Sequence, residues 1–131
     1  MGFDARTTQI GNENAVVVAV SGELDMVGAA QLDPVVDELV GRVPVILDLN
    51  ECSFIDSMGV RVVVRLSRAS EDGDGAGVPG AVVAGRRSAV RHLLDLTGLD
   101  SRIPVFESRD RALEWLDGND GLKPPFGDGI P

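Results

Sequence analysis

The chain has 131 residues, and its 12 basic and 21 acidic side chains give a formal net charge of −9. This length is sufficient for one domain to bury a core without disulfides or metals. The acidic balance disfavours nucleic acid and anionic membranes as partners, because both would repel the chain, and it favours other proteins.

The sequence shows no membrane-spanning or export signal. The apolar run 15–20 is far shorter than the roughly 20 residues that a membrane-spanning helix needs. No basic segment followed by an apolar region opens the chain, and Arg6 stands where a myristoylation signal would have Ser or Thr. The single Cys52 cannot form an internal disulfide and is expected to be a buried thiol. We therefore expect a cytoplasmic protein without a membrane partner.

The first elements in chain order are predicted to be a β-hairpin. Residues 15–21 are rich in valine and close at Gly22, which is typical of a strand. Residues 4–10 are expected to pair with them across the turn 11–14.

Near-helical spacing of apolar residues over 27–40 predicts a helix that stops at Gly41. Pro34 leaves two alternatives open. Either the helix begins near Leu32, with Asp33 as its cap and the proline in its first turn, or an earlier turn is interrupted at the proline.

The middle of the chain alternates between strand and helix patterns. Residues 44–49 are apolar on both faces until Asp48, as in a strand that helices cover. A helical stripe follows over 57–70, and the glycine-rich connection 71–80 leads to a predicted strand at 81–84.

The last elements are shorter. An amphipathic helix that starts near Ser88 and ends at Gly98 is expected, followed by a brief strand at 103–106. Ser108 is the predicted cap of the final helix, in which Arg109 is expected to face water.

These elements predict one α/β domain with a mixed sheet over residues 1–117. From residue 118 the composition shifts to Gly, Asp and Pro, so 118–131 is expected to be a flexible tail.

The segment 54–59, Phe-Ile-Asp-Ser-Met-Gly, places Ser57 at the start of a predicted helix. Unpaired N–H groups and the positive end of the helix dipole would tolerate a phosphate there. Such a phosphate would add about −1.5 to −2 charges beside Asp56 without breaking the fold. The simpler interpretation, which spacing alone favours, is that Asp56 or Ser57 is only the N-cap. Met58 has no hydroxyl, so Ser57 is the one acceptor in this turn.

A basic stripe follows Ser57 on the same predicted helix. Arg61, Arg65 and Arg68 are spaced so that they share one face. In a chain of this net charge they indicate either a docking edge for an acidic partner or an intramolecular clamp for a phosphate on Ser57. A merely solvated helix face is the remaining alternative.

The enzyme-like motifs in the sequence lack the neighbouring elements or residues that they would need. The glycines of 75–80 match the dinucleotide pattern GxGxxG, but they follow a helix and precede a strand, the reverse of the order that pattern needs. His92 is the only histidine and Cys52 the only cysteine, so no His- or Cys-based metal site can be assembled. We expect no enzyme activity, no cofactor and no metal.

Four motifs occur in one order along the chain: Gly-Glu-Leu-Asp at 22–25, Val-Ile-Leu-Asp-Leu at 45–49, Phe-Ile-Asp-Ser-Met-Gly at 54–59 and Leu-Leu-Asp-Leu-Thr-Gly-Leu at 93–99. Together they resemble the STAS domain family of bacterial anti-sigma-factor antagonists over about residues 4–117. The resemblance implies a STAS-like mixed sheet of about four to five strands with helices mainly on one face.

The resemblance also implies partner switching. Unphosphorylated members bind an anti-sigma factor that is also a serine kinase, which releases the sigma factor for transcription; the kinase then phosphorylates a serine, and a phosphatase resets it. Carried over by position, Ser57 is the acceptor, and Asp56 and Gly59 shape its turn. The partner-binding residues expected on this basis are Asp25, Asp56, Ser57, Met58, Gly59, Arg61 and Arg65.

Three features depart from the family pattern: Met58 replaces the usual Ser or Thr, Val60 stands where Leu is common, and the connection 71–80 is acidic and glycine-rich. They motivate an alternative function, a constitutive STAS scaffold in a signalling assembly without a phosphorylation switch. A nucleotide-binding protein built on the 75–80 glycines is a further alternative. The STAS module of anion transporters is disfavoured because no membrane segment accompanies the chain.

Overall fold

The computed structural model describes residues 3–10, 15–71 and 78–119. Within these ranges the chain forms five strands, four α-helices and a single 3-10 turn at Leu99–Ser101. The elements in chain order are β1 (Asp4–Ile10), β2 (Ala15–Leu24), α1 (Met26–Leu39), β3 (Val45–Ile55), α2 (Ser57–Glu71), β4 (Gly80–Val83), α3 (Ala89–Leu96), β5 (Val105–Phe106) and α4 (Arg109–Asn119).

The strands form one mixed sheet in the order β1-β2-β3-β4-β5. β1 pairs with β2 in antiparallel fashion, which confirms the predicted hairpin, although its turn at 11–14 lies outside the described residues. β2, β3, β4 and β5 run parallel to one another. Their carboxyl ends therefore meet at one edge of the sheet, and the loops that follow them lie side by side.

Both faces of the central strands are covered. Alternate side chains such as Val18, Leu47 and Val82 pack into a core with α1, α2 and α3. Their neighbours Val17 and Ile46 point to the opposite face, where α4 covers a smaller core. Burial on both faces accounts for the continuous apolar runs in β2 and β3. The predicted mixed sheet with helices mainly on one face is confirmed.

Several element boundaries agree with the sequence. Ser88 caps α3 by accepting a hydrogen bond from the Arg91 N–H at 3.0 Å, and Ser108 accepts from the Arg111 N–H at 3.3 Å. Gly41 and Gly98, the two predicted stops, have φ angles of 80° and 77°. These are left-handed conformations that glycine adopts at little cost, so both helices end where their glycine allows a reversal.

The helix predicted over 27–40 is confirmed, but both alternatives for Pro34 were wrong. α1 begins at Met26, well before Leu32, and continues through Pro34 without interruption. The proline removes one helical N–H, which leaves the Ala30 carbonyl without its usual partner. Pro34 and Ala30 are both exposed, so water can bond to that carbonyl and the helix tolerates the proline.

Three strands and the last helix differ from their predicted extents by more than one residue. β2 runs to Leu24 rather than ending at 21. β3 runs to Ile55 rather than stopping at 49, because its last residues still pair with β2. β5 is limited to Val105–Phe106, shorter than the predicted 103–106. α4 extends to Asn119, two residues beyond the predicted domain boundary at 117, and residues 120–131 of the predicted tail lie outside the described residues.

Arg109 does not simply face water as predicted. Its Nε donates to Asp48 Oδ2 at 2.6 Å, and the Asp48 side chain is nearly buried in β3. Asp48 Oδ1 also accepts from the Asn50 N–H at 3.0 Å. A buried carboxylate needs such partners, so this ion pair fixes the start of α4 against the centre of the sheet.

Candidate partner-binding site

Two neighbouring turns at the carboxyl edge of the sheet are built in the same way. In the β2–α1 turn, Asp25 Oδ1 accepts a hydrogen bond from the Gly28 N–H at 3.0 Å. In the β3–α2 turn, Asp56 Oδ1 accepts from the N–H groups of Met58 at 2.9 Å and Gly59 at 3.2 Å. Each aspartate is thus the N-cap of the helix that follows it, with a glycine three residues later.

The pairing of β2 with β3 places these turns next to each other. Leu24 is the register partner of Ile55, and each is the last residue before its capping aspartate. The Asp56 N–H also donates to the Leu24 carbonyl at 3.3 Å. The N-termini of α1 and α2 therefore lie side by side at one edge of the sheet.

Gly59 lets α2 approach the end of β2 closely. A Cβ atom at this position would lie 2.6 Å from the Leu24 carbonyl oxygen, 2.7 Å from Ile55 Cγ1 and 2.8 Å from Leu24 Cγ. These distances are shorter than real side-chain contacts, and one of the atoms belongs to the backbone. Only glycine fits, so Gly59 shapes the turn, as the resemblance implied.

Ser57 is the first residue of α2, and its side chain is exposed. Among the described residues, no group forms a hydrogen bond with its hydroxyl. The two open alternatives for the N-cap are thereby resolved, because Asp56 provides the cap and Ser57 does not. The Ser57 hydroxyl is thus available at the surface, next to a helix N-terminus.

Exposed apolar side chains lie on the matching turn. Met26 is 65% exposed and Val27 is 60% exposed, and they follow Asp25 as Ser57 and Met58 follow Asp56. The sequence analysis missed both residues because it assigned this stretch to a helix without asking which side faced water. The matching Asp-x-x-Gly spacing of the two turns was the signal that could have identified them.

A groove with a volume of about 600 Å³ runs between α1 and α2. The predicted site residues Met58, Arg61 and Arg65 line it, together with Met26, Ala30 and Arg68. The three arginines of α2 therefore share one face, as predicted. Asp25, Asp56 and Gly59 do not line the groove; they build the two turns at its end.

Arg65 differs from the other two arginines because it binds α1. Its guanidinium donates to Asp33 Oδ1 at 2.6 Å and also pairs with Asp37, one helical turn further along. Arg61 and Arg68 form no ion pair with any carboxylate whose side chain the structure describes. Arg65 thus joins the two walls of the groove, while its neighbours present their charge to solvent.

Within residues 3–10, 15–71 and 78–119, no group of three or more His, Cys, Asp or Glu side chains could hold a metal ion. Burial raises the pKa of the Cys52 thiol above its ordinary value, which disfavours the reactive thiolate. Among the described elements β4 comes after α2, which is the helix-then-strand order expected around 71–80, and Gly75 and Gly77 lie outside the described residues. None of the described helices is long and apolar enough to cross a membrane.

Comparison with known proteins identifies the class to which this fold and site belong. The family model for the STAS domain matches residues 7–112, which is most of the chain. The protein belongs to the STAS domain family.

Individual relatives show which kind of STAS protein the chain is similar to. The chain is 30% identical over 118 residues to the anti-sigma-F factor antagonist RsfB of Mycobacterium tuberculosis, covering 88% of this chain and 93% of RsfB. The structure of an anti-sigma factor antagonist from Mycobacterium paratuberculosis superposes with a TM-score of 0.75 at 26% identity, covering 88% of this chain and 95% of that one. The Bacillus protein SpoIIAA in its phosphorylated form shares the fold, with a TM-score of 0.62 at 20% identity and coverage of 86% and 99%. The chain is therefore a homologue of anti-sigma factor antagonists.

We predict that Gly59→Ala destabilises the domain by about 1–3 kcal/mol, because the added methyl group forces α2 away from Leu24. The direction of the change in stability is informative, since Gly→Ala within a helix ordinarily stabilises by roughly 1 kcal/mol. Gly85→Ala is the matched control, because its Cβ would meet only Asn50 Oδ1 at 3.5 Å. Urea unfolding measures both changes. Equal stabilities for the two variants would contradict the close approach.

A second prediction concerns the cap. Asp56→Ala should cost about 1 kcal/mol because the first-turn N–H groups of α2 lose their acceptor, whereas Ser57→Ala should change stability by less than about 0.5 kcal/mol. Thermal and urea unfolding of the two variants provide the comparison. A larger loss in Ser57→Ala than in Asp56→Ala would show that the serine is the cap after all.

Proposed function

We propose that this protein is an anti-sigma-factor antagonist controlled by phosphorylation of Ser57. With the Ser57 hydroxyl free, the two turns and the adjoining groove bind an anti-sigma factor that is also a serine kinase, and the sigma factor is released. Phosphorylation of Ser57 by that kinase breaks the complex, and a serine phosphatase restores it. The cytoplasmic location expected from the sequence stays a prediction.

This proposal rests on one observation: the Ser57 hydroxyl is exposed and has no hydrogen-bond partner among the described residues. Asp56 already accepts hydrogen bonds from the N–H groups of Met58 and Gly59, so the Ser57 side chain is not needed to cap the helix. Its exposure gives a kinase access to the oxygen. A hydroxyl that is both accessible and structurally dispensable can be modified without unfolding the domain.

The position of Ser57 also decides how a phosphate would act. At the first residue of α2 the phosphate meets the positive end of the helix dipole, which stabilises negative charge. It simultaneously adds roughly −1.5 to −2 charges beside Asp56. Folding is therefore little affected, but a partner packed against this turn must bury an unpaired charge, which costs several kcal/mol.

The surroundings of Ser57 suit a protein interface. Met26 and Val27 expose apolar side chains on the neighbouring turn, and Met58 is half-buried at the end of the groove. Exposed apolar residues beside polar ones are typical of interaction sites, and methionine adapts to irregular partner surfaces. The relative RsfB, named as an anti-sigma-F factor antagonist, supports an anti-sigma factor as the partner.

We predict that the cognate anti-sigma kinase and ATP modify Ser57 and that Ser57→Ala remains unmodified, as measured by mass spectrometry of the intact protein and its peptides. In calorimetry with the kinase alone, Ser57→Asp should bind at least about tenfold more weakly than the wild type, because the partner must desolvate the new charge. Ser101→Asp is the matched control. This exposed serine lies before the amino end of β5, whereas Ser57 follows the carboxyl end of β3.

Each outcome separates the switch from its alternative. Phosphate on a different residue, or none, would contradict the assignment of Ser57. Equal affinities for Ser57→Ala and Ser57→Asp would instead favour a constitutive STAS scaffold, the role suggested by Met58 in place of a hydroxyl residue. A pull-down with wild type and Ser57→Asp identifies the partner and shows whether its capture depends on position 57.

A further inference from the structure

We propose that the α1–α2 groove binds an acidic segment of the anti-sigma factor that carries apolar side chains between two carboxylates about two helical turns apart. This inference rests on the proposed function and adds the chemistry of the partner segment. It concerns the groove itself, which begins beside Ser57 and extends along α2 as far as Arg68.

Apolar residues of both helices line the groove between its charged side chains. Met26 and Ala30 of α1 are exposed there and Met58 of α2 is half-buried, whereas Ala29 and Val62 are already buried. Small side chains leave room for the side chains of a partner, and a volume of about 600 Å³ accommodates several of them. An inserted apolar segment would therefore remove Met26, Ala30 and Met58 from water.

The charges along the groove specify what flanks that apolar segment. Arg65, in the middle, is already neutralised by Asp33 and Asp37 of α1. Arg61 and Arg68 lie on either side of it, and neither pairs with any carboxylate whose side chain the structure describes. Seven residues separate them, which corresponds to about 10 Å along the axis of α2. Two acidic side chains at that separation would complete both ion pairs.

The charge of the groove is opposite in sign to that of the whole chain. Three arginines and one aspartate line the groove, whereas the whole chain has a net charge of −9. The overall negative charge repels an acidic partner, and Arg61 and Arg68 attract it at the groove, so charge favours binding there. A second copy of this acidic chain would meet general repulsion.

The experiment measures binding of the anti-sigma kinase to full-length protein in a Ser57→Ala background, so that phosphorylation cannot intervene. We expect the combined change Arg61→Glu and Arg68→Glu to weaken binding by about tenfold or more and to reduce its sensitivity to salt. The matched control is Arg102→Glu with Arg111→Glu, which alters the net charge equally at exposed positions away from the groove.

A second variant tests the groove without changing charge. Ala30→Trp fills it from an exposed position and should weaken binding by about tenfold, whereas Ala89→Trp, at an exposed position on α3, should not. Circular dichroism confirms that the variants remain folded.

The outcomes distinguish this inference from the proposed function. If Ser57→Asp abolishes binding but the groove variants bind like their controls, the groove assignment is wrong and the antagonist function stands. If no anti-sigma factor binds the wild-type protein, both fail. A concentration-dependent dimer in sedimentation that Ala30→Trp disrupts would assign the groove to a second copy of the chain and overturn the proposal.

Discussion

The close approach of α2 to the end of β2 is the constraint on which the candidate site depends. Gly59 has no side chain, so the first turn of α2 rests against the Leu24 carbonyl and the side chain of Ile55. Asp56 completes this junction, because its carboxylate caps α2 while its N–H donates to Leu24. The helix N-terminus is therefore held by its cap and by its contacts with Leu24 and Ile55, and Ser57 is left at the surface with no role in maintaining it.

Parallel pairing of β2 with β3 turns this local arrangement into an extended surface. It brings two Asp-capped helix starts together and sets α1 and α2 side by side, with Arg65 joined to Asp33 and Asp37 across the groove. Local changes at Ser57 thus occur at the end of a groove whose walls are fixed by the sheet and by an interhelical ion pair. We therefore expect a modification at this position to alter what a partner meets and to leave the supporting framework as it was.

The sequence predicted those features that depend on neighbouring residues. Apolar periodicity and capping residues gave the order of the elements, and Gly41 and Gly98 marked the ends of two helices. Features that depend on tertiary contacts were not predictable in this way. The ion pair between Asp48 and Arg109 joins residues 61 positions apart in the sequence, and the continuation of α1 through Pro34 depends on which side of the helix faces water.

The central claim is that a phosphate on Ser57 changes the surface of the protein and leaves its fold intact. Backbone amide chemical shifts, compared between the unmodified protein and protein carrying phosphoserine at position 57, test it most directly. We expect changes confined to the β2–α1 and β3–α2 turns and the first turns of α1 and α2. Shifts spread through β3, β4 and α4 would show that the phosphate rearranges the domain, and would contradict this account.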